Sequence, residues 1–366
     1  TPKPSSAASD VYKRQIIGSI DSSGIYKWLG IPYAEKPIND LRWRAPREVE
    51  NYRKKYEAIS FKKPCVQFQS SLTNNGLVKP GAIVGSEDCL YLNIYSPALS
   101  KDQISKDNIN LPVMVWIHGG GNTTGMPSEY NPEIFVKSEN IIFVSIAYRL
   151  GIFGWLSHPE LREQNGIDSS SNFGLLDQIM ALKWIKENIQ FFGGNPNNIT
   201  IFGESAGGQN VIALYSSPLA KGLFDRAISQ SGGTSVTSIK DAEKINRSDP
   251  RYISSYKNRH VTTEEWVNIL NKKGLIPSKF GEKNNLFDLR SLDSLSLMSG
   301  IDKGEFWSSQ RDLARIISDN VVIPEEGILE TLKDASKHAN VPIAVSYTHL
   351  RAHETRGNLV CRLLLE

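Results

Sequence analysis

The sequence predicts an α/β fold, with a mostly parallel central sheet flanked by helices, on three observations. Pro112–Ile117 (PVMVWI) and Ile141–Ala147 (IIFVSIA) are continuous apolar runs of strand length, the pattern of strands buried on both faces. Strand-like and helix-like segments then alternate, as crossover connections between parallel strands require. The 366 residues, 40% hydrophobic and 22% charged, supply a core large enough for one such sheet and its helices.

The elements follow in order. Residues 1–15 and 346–366 resemble translated linker sequence. The Arg-rich stretch after Val345 fits neither a strand end nor the loop expected there, so both ends are set aside from fold reasoning. The remaining domain, residues 16–345, reads as cut off at both termini. Residues 16–35 alternate apolar stretches with Gly18, Gly24 and Gly30, predicting short strands and tight turns. Residues 36–80, rich in Pro, Lys and Asn, predict irregular surface. A strand is expected at Leu90–Tyr95, closed by Ser96-Pro97, and residues 100–110 form a polar connection. Leu175, Ile179, Leu182, Ile185 and Ile189 recur at spacings of three and four, so residues 174–191 read as an amphipathic helix ended by Gly193-Gly194-Asn195-Pro196. Asn198–Phe202 (NITIF) is the next strand and Ala206–Tyr215 the next helix. Residues 235–310, polar with helical patches, are a candidate cap, and Val341-Pro342-Ile343 opens a further buried strand.

Charge and composition narrow the function classes. The net charge of +3 comes from the two ends; the body carries as many acidic as basic residues, so nothing points to nucleic acid or an anionic membrane. The longest apolar runs, Leu111–Ile117 and Ile141–Ala147, are too short to span a bilayer, and no signal-peptide pattern opens the chain. No Cys/His cluster has metal-ligand spacing, and no cofactor is called for. Asn122-Thr123-Thr124, Asn198-Ile199-Thr200 and Asn246-Arg247-Ser248 match the glycosylation triplet, a pattern common by chance.

Two segments carry chemistry. Gly203-Glu204-Ser205-Ala206-Gly207 fits G-x-S-x-G, which chance alone supplies in about one chain in ten of this length. Its setting is more telling: a strand runs into it and a helix leaves it, the arrangement of a nucleophile elbow. Ser205 is therefore the candidate nucleophile, beside the positive end of a helix dipole. His118-Gly119-Gly120-Gly121 directly follows the strand 112–117, where glycines let backbone N–H groups approach a carbonyl oxygen. The candidate oxyanion donors are the N–H groups of Gly120, Gly121 and Ala206. His118 reads as part of that loop rather than as a base.

These residues resemble the type-B carboxylesterase and cholinesterase family of α/β hydrolases. The resemblance rests on Gly30-Ile31-Pro32-Tyr33-Ala34, Ser86 through Asn93, His118 through Gly121, Tyr148-Arg149-Leu150-Gly151, Asn172 through Gly208, and Gly222-Leu223-Phe224 with Gln230-Ser231-Gly232. Ser217 through Gly222 is most similar to bacterial esterases of the family. The resemblance implies an α/β-hydrolase fold, incomplete at its C-terminus, and a small carboxylic ester as substrate. It implies a Ser–Glu–His triad whose acid falls near Arg351 and whose histidine lies beyond residue 366. Neither His158, His260, His338, His349, His353 nor Glu354 stands where the family places these groups, so the chain by itself is expected to be nearly inactive. The resemblance also pairs Cys65 with Cys89 in a disulfide, which points to an exported protein; Cys361 belongs to the tail. A non-catalytic adhesion or binding domain on the same fold is the alternative. Such relatives usually lose the nucleophile that this chain keeps.

Overall fold

The structure, a computed structural model, describes residues 15–49, 55–69, 81–98, 110–244, 262–301 and 315–346. The linker-like ends (save Gln15 and Ser346), the polar connection at 100–109, the triplet at Asn246, and His260, His349, Arg351, His353, Glu354 and Cys361 lie outside the described residues.

Eight strands form the central sheet: β1 Ser19–Ile20, β2 Tyr26–Pro32, β3 Tyr91–Ser96, β4 Leu111–Ile117, β5 Ile142–Ile146, β6 Gly194–Glu204, β7 Arg226–Gln230 and β8 Ile343–Ser346. Their spatial order is β8-β7-β6-β4-β5-β3-β2-β1. The five from β8 to β5 are parallel, while β3, β2 and β1 continue the sheet antiparallel. The apolar runs behave as their patterning requires: all of β5 is buried, and Val113, Val115, Trp116 and Ile117 of β4 are buried.

Three helices matter most to the site. Helix α1 (Glu133–Glu139) ends on Asn140 in the left-handed region, and its Val136 packs with Ile25, Leu29, Tyr95, Trp116 and Phe143 on one side of the sheet. Helix α2 (Phe173–Asn188) and helix α3 (Ala206–Ser216) belong to the main core cluster. The helix read over 174–191 thus stops at Asn188 and tightens into a 3₁₀ turn at Ile189–Phe192, closed by Gly193 at φ 89°. It is also less amphipathic than its spacing suggests. Residues 173 to 179 are all buried, because the first two turns run through the interior, where the Arg149 guanidinium receives the Asp177 carboxylate.

Two further expectations need correction. Strand β6 begins at Gly194, ahead of the expected Asn198, with a register shift before Ile199. Residues 36–80 are not simply irregular surface, since Trp43, Gln67 and Phe68 are fully buried, or nearly so, and the two-residue strands Gln67–Phe68 and Ile83–Val84 pair antiparallel. The Trp43 indole N–H donates to Ile152 C=O at 2.7 Å, which lets a large polar-edged ring sit in the core without an orphaned donor. Cys65 and Cys89 form a disulfide across this region.

Within 235–310 the described elements are the two-residue strand Thr237–Ser238, paired parallel with Ile317–Ser318, and helices Ile239–Glu243, Thr263–Lys272, Asn285–Ser291 and Ser294–Met298. Thr262 and Glu265 form a capping box on the second helix. Trp266, Leu270, Leu289 and Leu297 belong to the same apolar cluster as the sheet. Arg42 ties these helices down: its guanidinium pairs with Glu87 at 2.6 Å and donates to the carbonyls of Arg290 and Leu292 at 3.1 and 2.7 Å.

Candidate active site

Parallel strands β4 and β6 are neighbours, with Ile117 opposite Gly203. They run out at the same level, so the residues that follow each strand, His118-Gly119 and Glu204-Ser205, are brought side by side. Ser205 makes the entire turn from β6 into α3, at φ 56° and ψ −120°. A non-glycine residue there stores strain on the order of 1–3 kcal/mol. Two backbone bonds hold it: Ser205 N–H donates to Gln230 C=O at 2.8 Å, and its C=O accepts from Gln209 N–H at 2.9 Å. The surrounding glycines permit the approach. A Cβ on Gly207 would stand 2.1 Å from Ile117 C=O, and one on Gly208 would stand 2.6 Å from Gln230 C=O. Ser205 is exposed and Ala206 is the first residue of the helix.

The loop 118–125 has its amides turned by what its carbonyls accept. The Gly120 carbonyl takes three donors at 3.1 Å: Thr123 N–H, Thr124 N–H and Thr123 Oγ1. In a trans peptide the C=O and the next N–H point in opposite directions, so Gly121 N–H faces away from that turn. His118 Nδ1 donates to Gly119 C=O at 2.9 Å, which turns Gly120 N–H away in the same manner. Among the described residues, no acceptor takes the N–H of Gly120, Gly121 or Ala206. A Cβ on Gly119 would lie 3.5 Å from Ser205 Cβ, so loop and elbow are in contact. The structure therefore brings Ser205 against Gly119, with Ala206 next to the one and Gly120 and Gly121 next along the loop from the other.

Supporting residues carry no sequence signal of their own. Asn210 on α3 donates to Asn122 Oδ1 at 2.9 Å, and Gly151 N–H donates to Asn122 C=O at 2.8 Å. Asn122 is thus buried and engaged in its triplet, and Asn198 likewise engages the Arg226 guanidinium. Tyr148 donates its hydroxyl to His118 C=O at 2.6 Å and stacks on the His118 ring at 4.4 Å. At the rim, Glu204 is exposed with its carboxylate beside Gly119. Burial, and then the Glu204 charge, push the Glu129 carboxyl above the usual range. Tyr130 lies edge-on to Trp116 at 5.3 Å, so the rim combines acidic groups with an exposed aromatic ring.

None of the described histidines hydrogen-bonds Ser205. Burial holds His118 neutral, pushing it down to about 4. Burial does the same to His158, whose Nε2 meets Asn285 Oδ1 at 2.8 Å. His338 stacks on Tyr215, at the other end of α3 from Ser205. Both buried rings sit below their unfolded value of 6.5, so the unfolded chain binds more protons between pH 6.5 and 4. Their contribution to stability is full above pH 6.5 and is lost as pH falls through that window. The urea midpoint should fall between pH 7.5 and 4.5, less steeply in His158→Gln; a midpoint flat across this range would contradict the neutral burial.

Among the described residues no group of three or more His, Cys, Asp or Glu side chains is placed to hold a metal, and no helix is long and apolar enough to cross a membrane. Residues 14–354 match the sequence profile of the Carboxylesterase family. Para-nitrobenzyl esterase of Bacillus subtilis (strain 168) is 42% identical over 222 residues, 60% of this chain and 42% of that protein. Carboxylesterase 1D of Rattus norvegicus is 45% identical over 212 residues, 56% of this chain and 35% of that protein. A solved PNB esterase superposes with a TM-score of 0.73 at 29% identity, covering 93% of this chain and 64% of that one. The Geobacillus stearothermophilus carboxylesterase Est55 gives 0.70 at 31% identity, covering 92% and 60%. The chain spans less than half the length of these curated relatives.

Proposed function

Because the chain belongs to the carboxylesterase family, we propose that it carries the nucleophile half of a serine carboxylic ester hydrolase. The observation that supports this most is the exposed Ser205 in contact with Gly119, with the amides of Ala206, Gly120 and Gly121 beside that contact along the chain and unengaged among the described residues. Ser205 Oγ attacks the ester carbonyl carbon, and the carbonyl oxygen becomes an oxyanion that the three N–H groups hold. Each such donor is typically worth on the order of 3 kcal/mol in the transition state. The C–O bond then breaks, the alcohol leaves with a proton, and water hydrolyses the acyl-enzyme. The proton transfers need a histidine oriented by a carboxylate. The family resemblance puts that histidine beyond residue 366, so the 366-residue chain alone turns over slowly. The full enzyme is proposed to act on short-chain aryl esters. The Cys65–Cys89 disulfide supports an exported protein, since such bonds persist in oxidising compartments. The segment 235–310 is proposed to cap the site.

The test is labelling of the 366-residue chain with a fluorophosphonate in concentrated imidazole, which supplies from solution the base that the chain lacks, followed by peptide mass spectrometry. The modification should sit on Ser205 and vanish in Ser205→Ala. Labelling that survives that substitution would remove the nucleophile assignment; no labelling at all would favour the non-catalytic binding domain. Turnover of a p-nitrophenyl ester at ordinary esterase rates would contradict the missing base.

A further inference from the structure

Gln67 is fully buried, yet its side-chain amide uses every hydrogen-bonding position it has. Oε1 accepts from Gly125 N–H at 2.9 Å and from Thr124 Oγ1 at 2.7 Å. Nε2 donates to Gly125 C=O at 2.9 Å and to Cys65 C=O at 3.0 Å. The side chain thus pairs with both backbone groups of Gly125, as an adjoining strand would.

Gly125 and Thr124 are the residues against which the amide-bearing part of the loop is packed. A Cβ on Gly125 would stand 2.3 Å from His118 Nδ1 and 2.9 Å from Gly119 C=O. A Cβ on Gly120 would stand 2.1 Å from Thr124 C=O. The contacts run from Gln67 to Gly125 and on to the Gly119 carbonyl, whose direction sets that of Gly120 N–H. A second line runs from Gln67 through Thr124 to Gly120. The other end is fixed covalently, because Cys65, two residues before Gln67, is bonded to Cys89 just ahead of β3.

We propose that Gln67 is a positioning residue for ester hydrolysis, fixing the direction of the Gly120 and Gly121 amides from beneath the loop without touching substrate. The proposal rests on the reading of Ser205 as nucleophile and of these amides as its oxyanion donors. Losing the amide leaves Gly125 N–H, Gly125 C=O and Cys65 C=O unpaired in the interior, and the loop relaxes to satisfy them.

Gln67→Met keeps the volume and removes all four hydrogen bonds. In the 366-residue chain, amide hydrogen exchange over 118–126 should quicken about tenfold or more, with exchange in β3 and β6 little changed. With imidazole supplying the base, labelling of Ser205 by a fluorophosphonate should slow by about tenfold, a fraction of the 10²–10³ that one whole donor is worth. The decisive readout is a ratio: the P=O reagent's rate over that of its P=S analogue, since sulfur accepts hydrogen bonds poorly. That ratio should shrink in Gln67→Met and stay near wild type in a core control such as Ile152→Val. Unchanged loop exchange, exchange that quickens equally everywhere, or an unchanged P=O/P=S ratio would each overturn the proposal. If the wild-type chain is not labelled even with imidazole supplying the base, the nucleophile reading fails, while the exchange experiment still decides whether Gln67 holds the loop.

Discussion

Asp177→Ala should lower the unfolding free energy by about 3–5 kcal/mol, measured by urea titration, a large share of the 5–15 kcal/mol that holds a typical domain. Asp177 is fully buried on α2 and Arg149 nearly so. Asp177 Oδ2 accepts from Arg149 Nε at 2.8 Å and from Arg149 N–H at 3.0 Å, while Oδ1 accepts from Nη2 at 2.7 Å. Removing the carboxylate strands a guanidinium in the interior, with only the face of Phe173 at 5.3 Å to offset it. The pair is not an economical stabiliser as it stands, because Arg149 Nη1 is buried without a partner. Hence the double substitution Arg149→Met, Asp177→Leu should recover most of the loss. A cost below about 1 kcal/mol for Asp177→Ala would show that water reaches the guanidinium and that the pair is not buried as described. The consequence extends to the candidate site, since Gly151, two residues after Arg149, donates to the Asn122 carbonyl of the loop 118–125.

Much of this arrangement is legible in the chain because its signals are local. PVMVWI and IIFVSIA become neighbouring parallel strands, and G-x-S-x-G falls between a strand and a helix, since both signals depend only on local sequence. What the sequence hides is pairing between distant residues. Nothing local places β6 between β4 and β7, or turns β3, β2 and β1 antiparallel. Gln67 looks like one polar residue in a polar stretch, and only its four hydrogen bonds, three of them to the loop more than fifty residues on, reveal why it is buried. Asp177 likewise looks like a solvated position on an amphipathic helix until Arg149 is found against it. The first two turns of α2 defeat a periodicity reading for this reason: a buried carboxylate with a fixed partner interrupts the apolar stripe without being exposed. The glycosylation triplet at Asn122 misleads in the opposite direction, because the side chain that fits the pattern is held inside by Asn210.

Gly119→Ala should cost about 10²–10³ in the rate of Ser205 labelling while leaving the fold nearly intact. Gly119, unlike Gly120 at φ 90° and Gly121 at φ 64°, has no positive φ, so alanine strains no backbone torsion there. The conflict is between surfaces. The new methyl would sit 2.7 Å from Glu204 C=O, 3.3 Å from Glu204 Oε2 and 3.5 Å from Ser205 Cβ. The Glu204 backbone cannot yield easily, because β6 is bonded to β7 at this level with Glu204 opposite Gln230. The loop must move instead, and it carries the Gly120 and Gly121 amides with it. Relieving such a contact takes several tenths of an ångström, enough to lengthen hydrogen bonds to an oxyanion whose value depends on donors fixed at about 2.7–3.1 Å. Gly120→Ala is the contrast: its Cβ would meet Thr124 C=O at 2.1 Å from a left-handed torsion, so it should lose stability and reactivity together. Second-order labelling rates and urea midpoints separate the two cases. A Gly119→Ala chain that labels within threefold of wild type would mean that the oxyanion is held by something other than these amides.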